Sequence, residues 1–156
     1  MDQFTYHYNR AIHFLTVRPR SEKEVRDNLL KKKIAPEVLE KIIAKLKEQK
    51  FLNDEDFTSW FIDQRTRVSQ KSMRVIRVEL LQKGVDKEII ESGIRSQESG
   101  DSDTDTARKI VEKKFPKYKG LPRQEIYQKL GGHLARRGYT WDTIKASIDE
   151  AIEEKV

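Results

Sequence analysis

Leu80-Leu81-Gln82-Lys83-Gly84-Val85 is the stretch whose reading decides the fold. It reads as a leucine-anchored helix end, a basic residue, a tight turn and an apolar residue returning to a core. Glycine suits that turn because helices commonly stop on a left-handed residue, a conformation only glycine enters freely. The pattern also stands at Leu29-Leu30-Lys31-Lys32-Lys33-Ile34, 51 residues earlier, and at Leu134-Ala135-Arg136-Arg137-Gly138-Tyr139, 54 residues later. Self-similarity at such a period marks a tandem array of one supersecondary unit. Lys33 stands where the other copies have glycine. A non-glycine residue in a left-handed turn costs about 1–2 kcal/mol, so a different turn is expected there.

Working outward, nearly every segment carries a 3.6-residue apolar period, and no alternating run suggests a strand. The reading is an all-α chain of three tandem three-helix repeats, over 1–52, 53–97 and 106–156, with an acidic linker at 98–105. In the first repeat, Pro19 interrupts the helix before it, because proline disfavours the α region for its predecessor. Ser21-Glu22-Lys23-Glu24 then forms a capping box, with Val25, Leu29 and Leu30 as the buried face that follows. Pro36 sits in the first turn of the third helix, where its missing N–H is harmless. In the second repeat, Asn53 caps, and Asp54, Glu55 and Asp56 favour the positive end of their own helix dipole. Ser72 opens the middle helix 51 residues after Ser21, and Val75, Ile76, Leu80 and Leu81 form its apolar face. In the third repeat, 116–122 reads as a loop between two prolines. Gly131-Gly132 weakens the following helix, compatible with a kink or a late start. Trp60, Phe61 and Trp141 are expected in packed positions.

The composition excludes several classes of function. The 156 residues include no cysteine, so there is neither a disulfide framework nor a thiolate metal site, and a reducing cytoplasm fits. No run approaches the roughly 20 apolar residues of a membrane span. Met1-Asp2-Gln3-Phe4 lacks the basic-then-apolar pattern of a signal sequence. His7, His13 and His133 stand apart from one another, and no phosphate-binding glycine loop or nucleophile elbow is present. The expectation is a protein without cofactor, metal or catalytic residues.

The basic residues carry the functional reading. Net charge is +6, and residues 64–84 hold six Lys or Arg against Glu79 alone. The candidate set for contact with a polyanion is Arg67, Lys71, Arg74, Arg77 and Lys83 in the second repeat. Arg26, Lys32 and Lys33 occupy the matching region of the first repeat, and Arg136 and Arg137 that of the third. Such a set binds phosphates through counterion release with little sequence specificity. The same residues also suit an acidic protein surface or a solvated face. Each stop, turn and cap resembles a helix-turn-helix, which leaves a stand-alone DNA-binding regulator as the alternative. Against it, the third helices begin Pro36-Glu37-Val38, Asp86-Lys87-Glu88 and Trp141-Asp142-Thr143, without the residues that meet base edges.

Four segments together resemble the RecX family of bacterial regulatory proteins. Phe51-Leu52-Asn53-Asp54-Glu55-Asp56-Phe57 is similar to its aromatic-Leu-Asp-Asp-x-x-Phe signature. Arg18-Pro19-Arg20-Ser21-Glu22-Lys23-Glu24-Val25 resembles the family's segment before the second helix. Ile76-Arg77-Val78-Glu79-Leu80-Leu81-Gln82-Lys83-Gly84-Val85 resembles its Ile-Arg-x-Glu-Leu-x-x-Lys-Gly-Ile, and Arg136-Arg137-Gly138-Tyr139 its closing Arg-Gly-aromatic. Gln70-Lys71-Ser72 departs from the aromatic-Gly-Pro-like turn of many relatives. The resemblance implies an elongated, curved array that binds the RecA recombinase as a filament on single-stranded DNA, lies in the filament groove and bridges subunits. It implies inhibition of ATP hydrolysis, strand exchange and co-protease activity. A monomer is expected, with weak, non-specific binding to single-stranded and double-stranded DNA and no membrane partner.

Overall fold

The computed structural model describes residues 2–97 and 102–154. Among them lie nine α-helices and no strand. The first repeat holds α1 (Gln3–Val17), α2 (Glu22–Leu30) and α3 (Pro36–Glu48). The second holds α4 (Asp54–Arg67), α5 (Met73–Gln82) and α6 (Lys87–Arg95). The third holds α7 (Asp103–Tyr118), α8 (Arg123–Arg136) and α9 (Trp141–Glu154).

In the first repeat, α1 and α2 pack on α3. Tyr8, Ala11, Val25, Leu29, Leu39 and Ile42 are among the core side chains, each drawn from an apolar face of period 3.6. In the third, α7 and α8 pack on α9 around Ile110, Phe115, Leu130, Leu134, Ile144 and Ile148. Fully burying one such side chain stabilises the fold by about 1.5–3 kcal/mol. Phe57, Phe61, Ile62, Ile76, Leu80, Val85 and Ile90 are buried apolar side chains of the second repeat.

The capping box of α2 is present in both directions: the Ser21 side chain accepts from Glu24 N–H and the Glu24 side chain accepts from Ser21 N–H. Pro36 occupies the first turn of α3. The turns at Gly84 and Gly138 are left-handed, with φ of +79° and +93°. Each closes with a bond from the next amide to the carbonyl of the anchoring leucine, Val85 N to Leu80 O at 3.1 Å and Tyr139 N to Leu134 O at 3.2 Å.

Several expectations are corrected. Lys33 takes the same left-handed conformation without glycine, with φ of 56°. The turn still differs in part, as expected: α2 already ends at Leu30 and, among the described residues, no Ile34 N to Leu29 O bond closes it. The exposed Lys33 side chain meets no obstacle beyond the intrinsic cost of the conformation. Leu30 and Leu81 are exposed rather than buried. Each follows a fully buried leucine, and about 100° of helical rotation carries the second side chain off a narrow buried face. Pro116 lies inside α7 rather than in a loop. It sits in the last turn, where one lost bond is cheap, and buried Phe115 with Tyr118 anchors that turn to the core. α8 runs unbroken through Gly131 and Gly132. Ser102 caps α7, so Asp103 and Asp105 of the expected linker form its first turn, while 98–101 lie outside the described residues. Trp60 is half-buried, 6.1 Å from the Phe57 ring, but Trp141 is exposed. At the first position of α9 its side chain points back past the helix end, leaning on the Tyr127 ring at 5.8 Å.

The chain divides into two compact units that are not the repeats themselves. One comprises Met1–Ile62 and Glu79–Ser96, the other Asp63–Val78 and Gln97–Val156. α4 and α5 each contribute to both. The reason lies in the bonds that tie one repeat to the next.

Candidate nucleic-acid interface

The recurring basic turns are built into these ties. In the first unit, the Ser21 hydroxyl donates to the carbonyl of Lys83 at 2.7 Å. In the second unit, the Ser72 N–H donates to the carbonyl of Arg137 at 3.0 Å. Ser21 and Ser72 open α2 and α5, so each turn docks on the N-terminus of the preceding repeat's middle helix. Both serines are fully buried, and both hydroxyls also accept from the third amide of their own helix. A burial that would be costly is thereby satisfied.

The approach is close enough to require glycine for a second reason. A Cβ on Gly84 would lie 2.6 Å from the Lys23 Cβ, and one on Gly138 would lie 2.1 Å from Val75 Cγ2. Two carboxylates complete the joint. Asp54, the first residue of α4, accepts from the Glu22 N–H that opens α2, at 2.8 Å. Asp103, the first residue of α7, accepts from the Met73 N–H that opens α5, at 2.9 Å. Each carboxylate thus caps the preceding repeat's helix, where orphan N–H groups and the dipole favour an anion. Burial pushes the Asp54 carboxyl above its ordinary value, against the lowering effect of that bond. In the second unit, the buried Tyr139 hydroxyl also donates to the Gln70 carbonyl at 2.7 Å. Gln70 itself is left-handed, with φ of 51°.

The ten basic candidates fall into distinct environments. Arg26 is held by Glu22 at 2.8 Å and Glu40 at 2.6 Å, and these bonds raise its already high pKa. Lys83 reaches Glu24 at 3.6 Å, and Arg18 shares that carboxylate at 2.6 Å. Arg67 pairs with Asp63 at 2.8 Å. Arg74 donates to the Gly138 carbonyl at 3.0 Å, which brings it to the Arg136-Arg137 turn. Lys71 lies just before α5, and Arg77 within it, each half-buried with a partner of its own. Arg137 has its Nε buried without a hydrogen-bond partner. Lys32, Lys33 and Arg136 hold no ion pair with a carboxylate among the described residues. Part of the expected set therefore ties the protein to itself. Within that set, Lys32 and Lys33 at the first turn and Arg136 at the third keep their charge without a carboxylate partner among the described residues, whereas Lys83 at the second does not.

Sequence reasoning missed Asp54 and Asp103 as ties, because their own helix dipole already accounted for acidic residues there. The signal was their placement, each directly after a capping Asn53 or Ser102. It also missed the outer face of α1, where Tyr6, Arg10 and His13 recur at helical spacing opposite the core.

The similarities to known proteins follow the same three-part order. Family models for the first, second and third three-helix domains of RecX match residues 8–46, 53–94 and 101–148. Regulatory protein RecX of Bacillus subtilis (strain 168) is 36% identical over 149 residues, covering 96% of this chain and 56% of that protein. Regulatory protein RecX of Streptococcus mutans serotype c is 29% identical over 148 residues, covering 95% and 56%. The chain thus spans about half the length of the curated relatives it matches. The crystal structure of RecX from Lactobacillus salivarius superposes with a TM-score of 0.78 at 24% identity, covering 97% of both chains.

Proposed function

The chain belongs to the RecX family of regulatory proteins, and on that basis we propose that it binds the RecA recombinase filament on single-stranded DNA and inhibits it. The inhibited activities are ATP hydrolysis, strand exchange and co-protease action, with the protein seated in the filament groove. The observation that carries the reading is the match of all three RecX domains, in order, along one chain.

The uncompensated cations add support. Lys32 and Lys33 at the first turn and Arg136 at the third offer positive charge without a carboxylate to neutralise it. Repeated weak contacts on one chain gain affinity through effective concentration when the partner also repeats. The N-terminal turns of α3, α6 and α9 carry Glu37, Glu88 and Asp142, which repel phosphate where a groove-reading helix would insert. That supports a filament partner over a sequence-reading repressor. The protein acts as a monomer in the cytoplasm, without a cofactor, and catalysis remains with the recombinase. Among the described residues, no helix is long and apolar enough to cross a membrane.

The test is ATP hydrolysis by the cognate recombinase on single-stranded DNA, titrated with the protein and with Lys33→Glu/Arg136→Glu. Inhibition below equimolar ratio, weakened in the variant, is expected. No inhibition at equimolar protein would sink the reading. Arg74→Glu is a poorer first choice, because its guanidinium also holds the Gly138 carbonyl.

A further inference from the structure

Between α1 and the end of α2 lies an open cleft of about 700 Å³ that the ties between repeats do not use. α1 is two-faced. Its inner face gives Tyr8 and Ala11 to the core, while Tyr6, Asn9, Arg10 and His13 line the cleft with Phe14 and Val17. Asn28 of α2 and Lys32 of the turn that follows it close the cleft. The lining contains no carboxylate. Other clefts on the first unit are lined by Glu22, Asp54 and Asp86, or by Glu55, Asp56 and Glu88. Among the described residues, neither Arg10 nor Lys32 holds an ion pair with a carboxylate.

The aromatic groups are placed to receive a planar ligand. Tyr6 is 47% exposed on a helix whose buried side is complete without it. The Arg10 guanidinium lies 5.5 Å from the Tyr6 ring centroid, so ring and cation form one platform. Phe14 is braced by Arg20, whose guanidinium sits 3.9 Å from its ring centroid. Two side-chain amides, Asn9 and Asn28, each offer a donor and an acceptor at the same cleft. An exposed ring at Tyr6, cations without a carboxylate partner and amide groups together match a nucleotide: a base to stack, an edge to bond and a phosphate to neutralise.

We propose that this α1–α2 cleft is a binding site for single-stranded nucleic acid, in which a base stacks on Tyr6 while Arg10 and Lys32 neutralise the flanking phosphates. The choice of a single strand rests in part on the reading above, whereas the site itself rests on the cleft. It differs from the α5 candidates, sharing only Lys32 with the basic set. Stacking is indifferent to base identity, so the site favours no particular sequence.

The test uses the full chain and no recombinase, so its failure leaves the regulator reading standing. Fluorescence anisotropy is measured with a labelled oligo-dT and with an abasic oligonucleotide of equal length and charge. Tyr6→Ala is expected to weaken oligo-dT binding about fivefold or more while leaving the abasic strand unchanged. Arg10→Glu/Lys32→Glu is expected to weaken both about tenfold or more. Circular dichroism checks that the variants remain folded, and an unfolded variant is replaced by Tyr6→Leu or Arg10→Gln, which carry the same expectations. Unchanged oligo-dT affinity in the folded variants overturns the proposal. So does equal loss on both strands in the Tyr6 variant, or displacement by polyglutamate as effective as by oligo-dT, which would mark an acidic-protein site.

Discussion

The Ser21 hydroxyl donates to the Lys83 carbonyl at 2.7 Å while accepting from the Glu24 amide at 3.2 Å. One side chain thus caps α2 of one repeat and holds the next repeat's turn. Ser72 does the same for the Arg137 turn, using its hydroxyl as the cap and its N–H as the tie. Neighbouring repeats are joined by backbone carbonyls at turns, so the basic side chains of those turns need not all be spent on cohesion.

Gly138 and Gly84 are expected to be the most sensitive positions of this joint. Gly138→Ala adds a methyl 2.1 Å from Val75 Cγ2 at a φ of +93°. The left-handed conformation alone costs about 1–2 kcal/mol, and the overlap adds overpacking of about 1–3 kcal/mol. Gly84→Ala meets the Lys23 Cβ at 2.6 Å and is expected to behave similarly. Lys33→Gly should instead stabilise by about 0.5–1 kcal/mol, because it relieves the same conformation without opening a contact. Urea denaturation midpoints decide the order, and equal midpoints for Gly138→Ala and wild type would rule out the docked turn.

Asp54 and Asp103 give a residue-specific prediction. Asp54→Ala removes the carboxylate that accepts from the Glu22 N–H, and Asp103→Ala the one that accepts from the Met73 N–H. Loss of a cap costs about 0.5–2 kcal/mol. Hydrogen exchange should accelerate at the first turn of α2 in the Asp54 variant and of α5 in the Asp103 variant. Acceleration confined to α4 or α7 would return these carboxylates to the service of their own helices.

The two tryptophans should report opposite surroundings. Trp141 is 58% exposed, whereas Trp60 packs against Phe57 with the Arg18 guanidinium 5.8 Å from its ring centroid. Trp60→Phe, which leaves Trp141, should show red-shifted emission and strong acrylamide quenching. Trp141→Phe, which leaves Trp60, should be blue-shifted and cost less than about 0.5 kcal/mol, as surface substitutions do. Reversed spectra would mean that α9 starts in a different packing.

The repeat period, the capping box and the glycine stops were legible because each is local: a helix must be patterned, started and stopped by neighbours in sequence. Asp54 and Asp103 were not legible as ties, since their own helix dipole explains an acidic residue equally well. Pro116 misled because a proline's local preference is clear, whereas the packing of Phe115 and Tyr118 that overrides it is tertiary. Of the basic candidates, sequence supplied the positions but not the partners. Arg26 and Lys33 look alike in sequence, yet one is clasped by Glu22 and Glu40 and the other is not.

Glu24 links this joint to pH. Burial alone would raise its carboxyl, but bonds from Arg18 and the Ser21 N–H, with the charges of Arg18 and Lys83, hold it below its ordinary value of 4.5. A carboxyl depressed in the folded state contributes stability that is complete above its unfolded value and is lost as pH falls through the folded one. The melting temperature should therefore fall below about pH 4.5 as the unfolded chain takes up the proton first. Glu22, also depressed although burial opposes it, adds to the same acid window through its bonds from Lys47 and Arg26. Glu24→Gln should lower the melting temperature at pH 7 and make the acid limb shallower without abolishing it. Thermal melts across pH 3–7 supply the test, and parallel curves for variant and wild type would show that Glu24 does not couple the cap of α2 to Lys83.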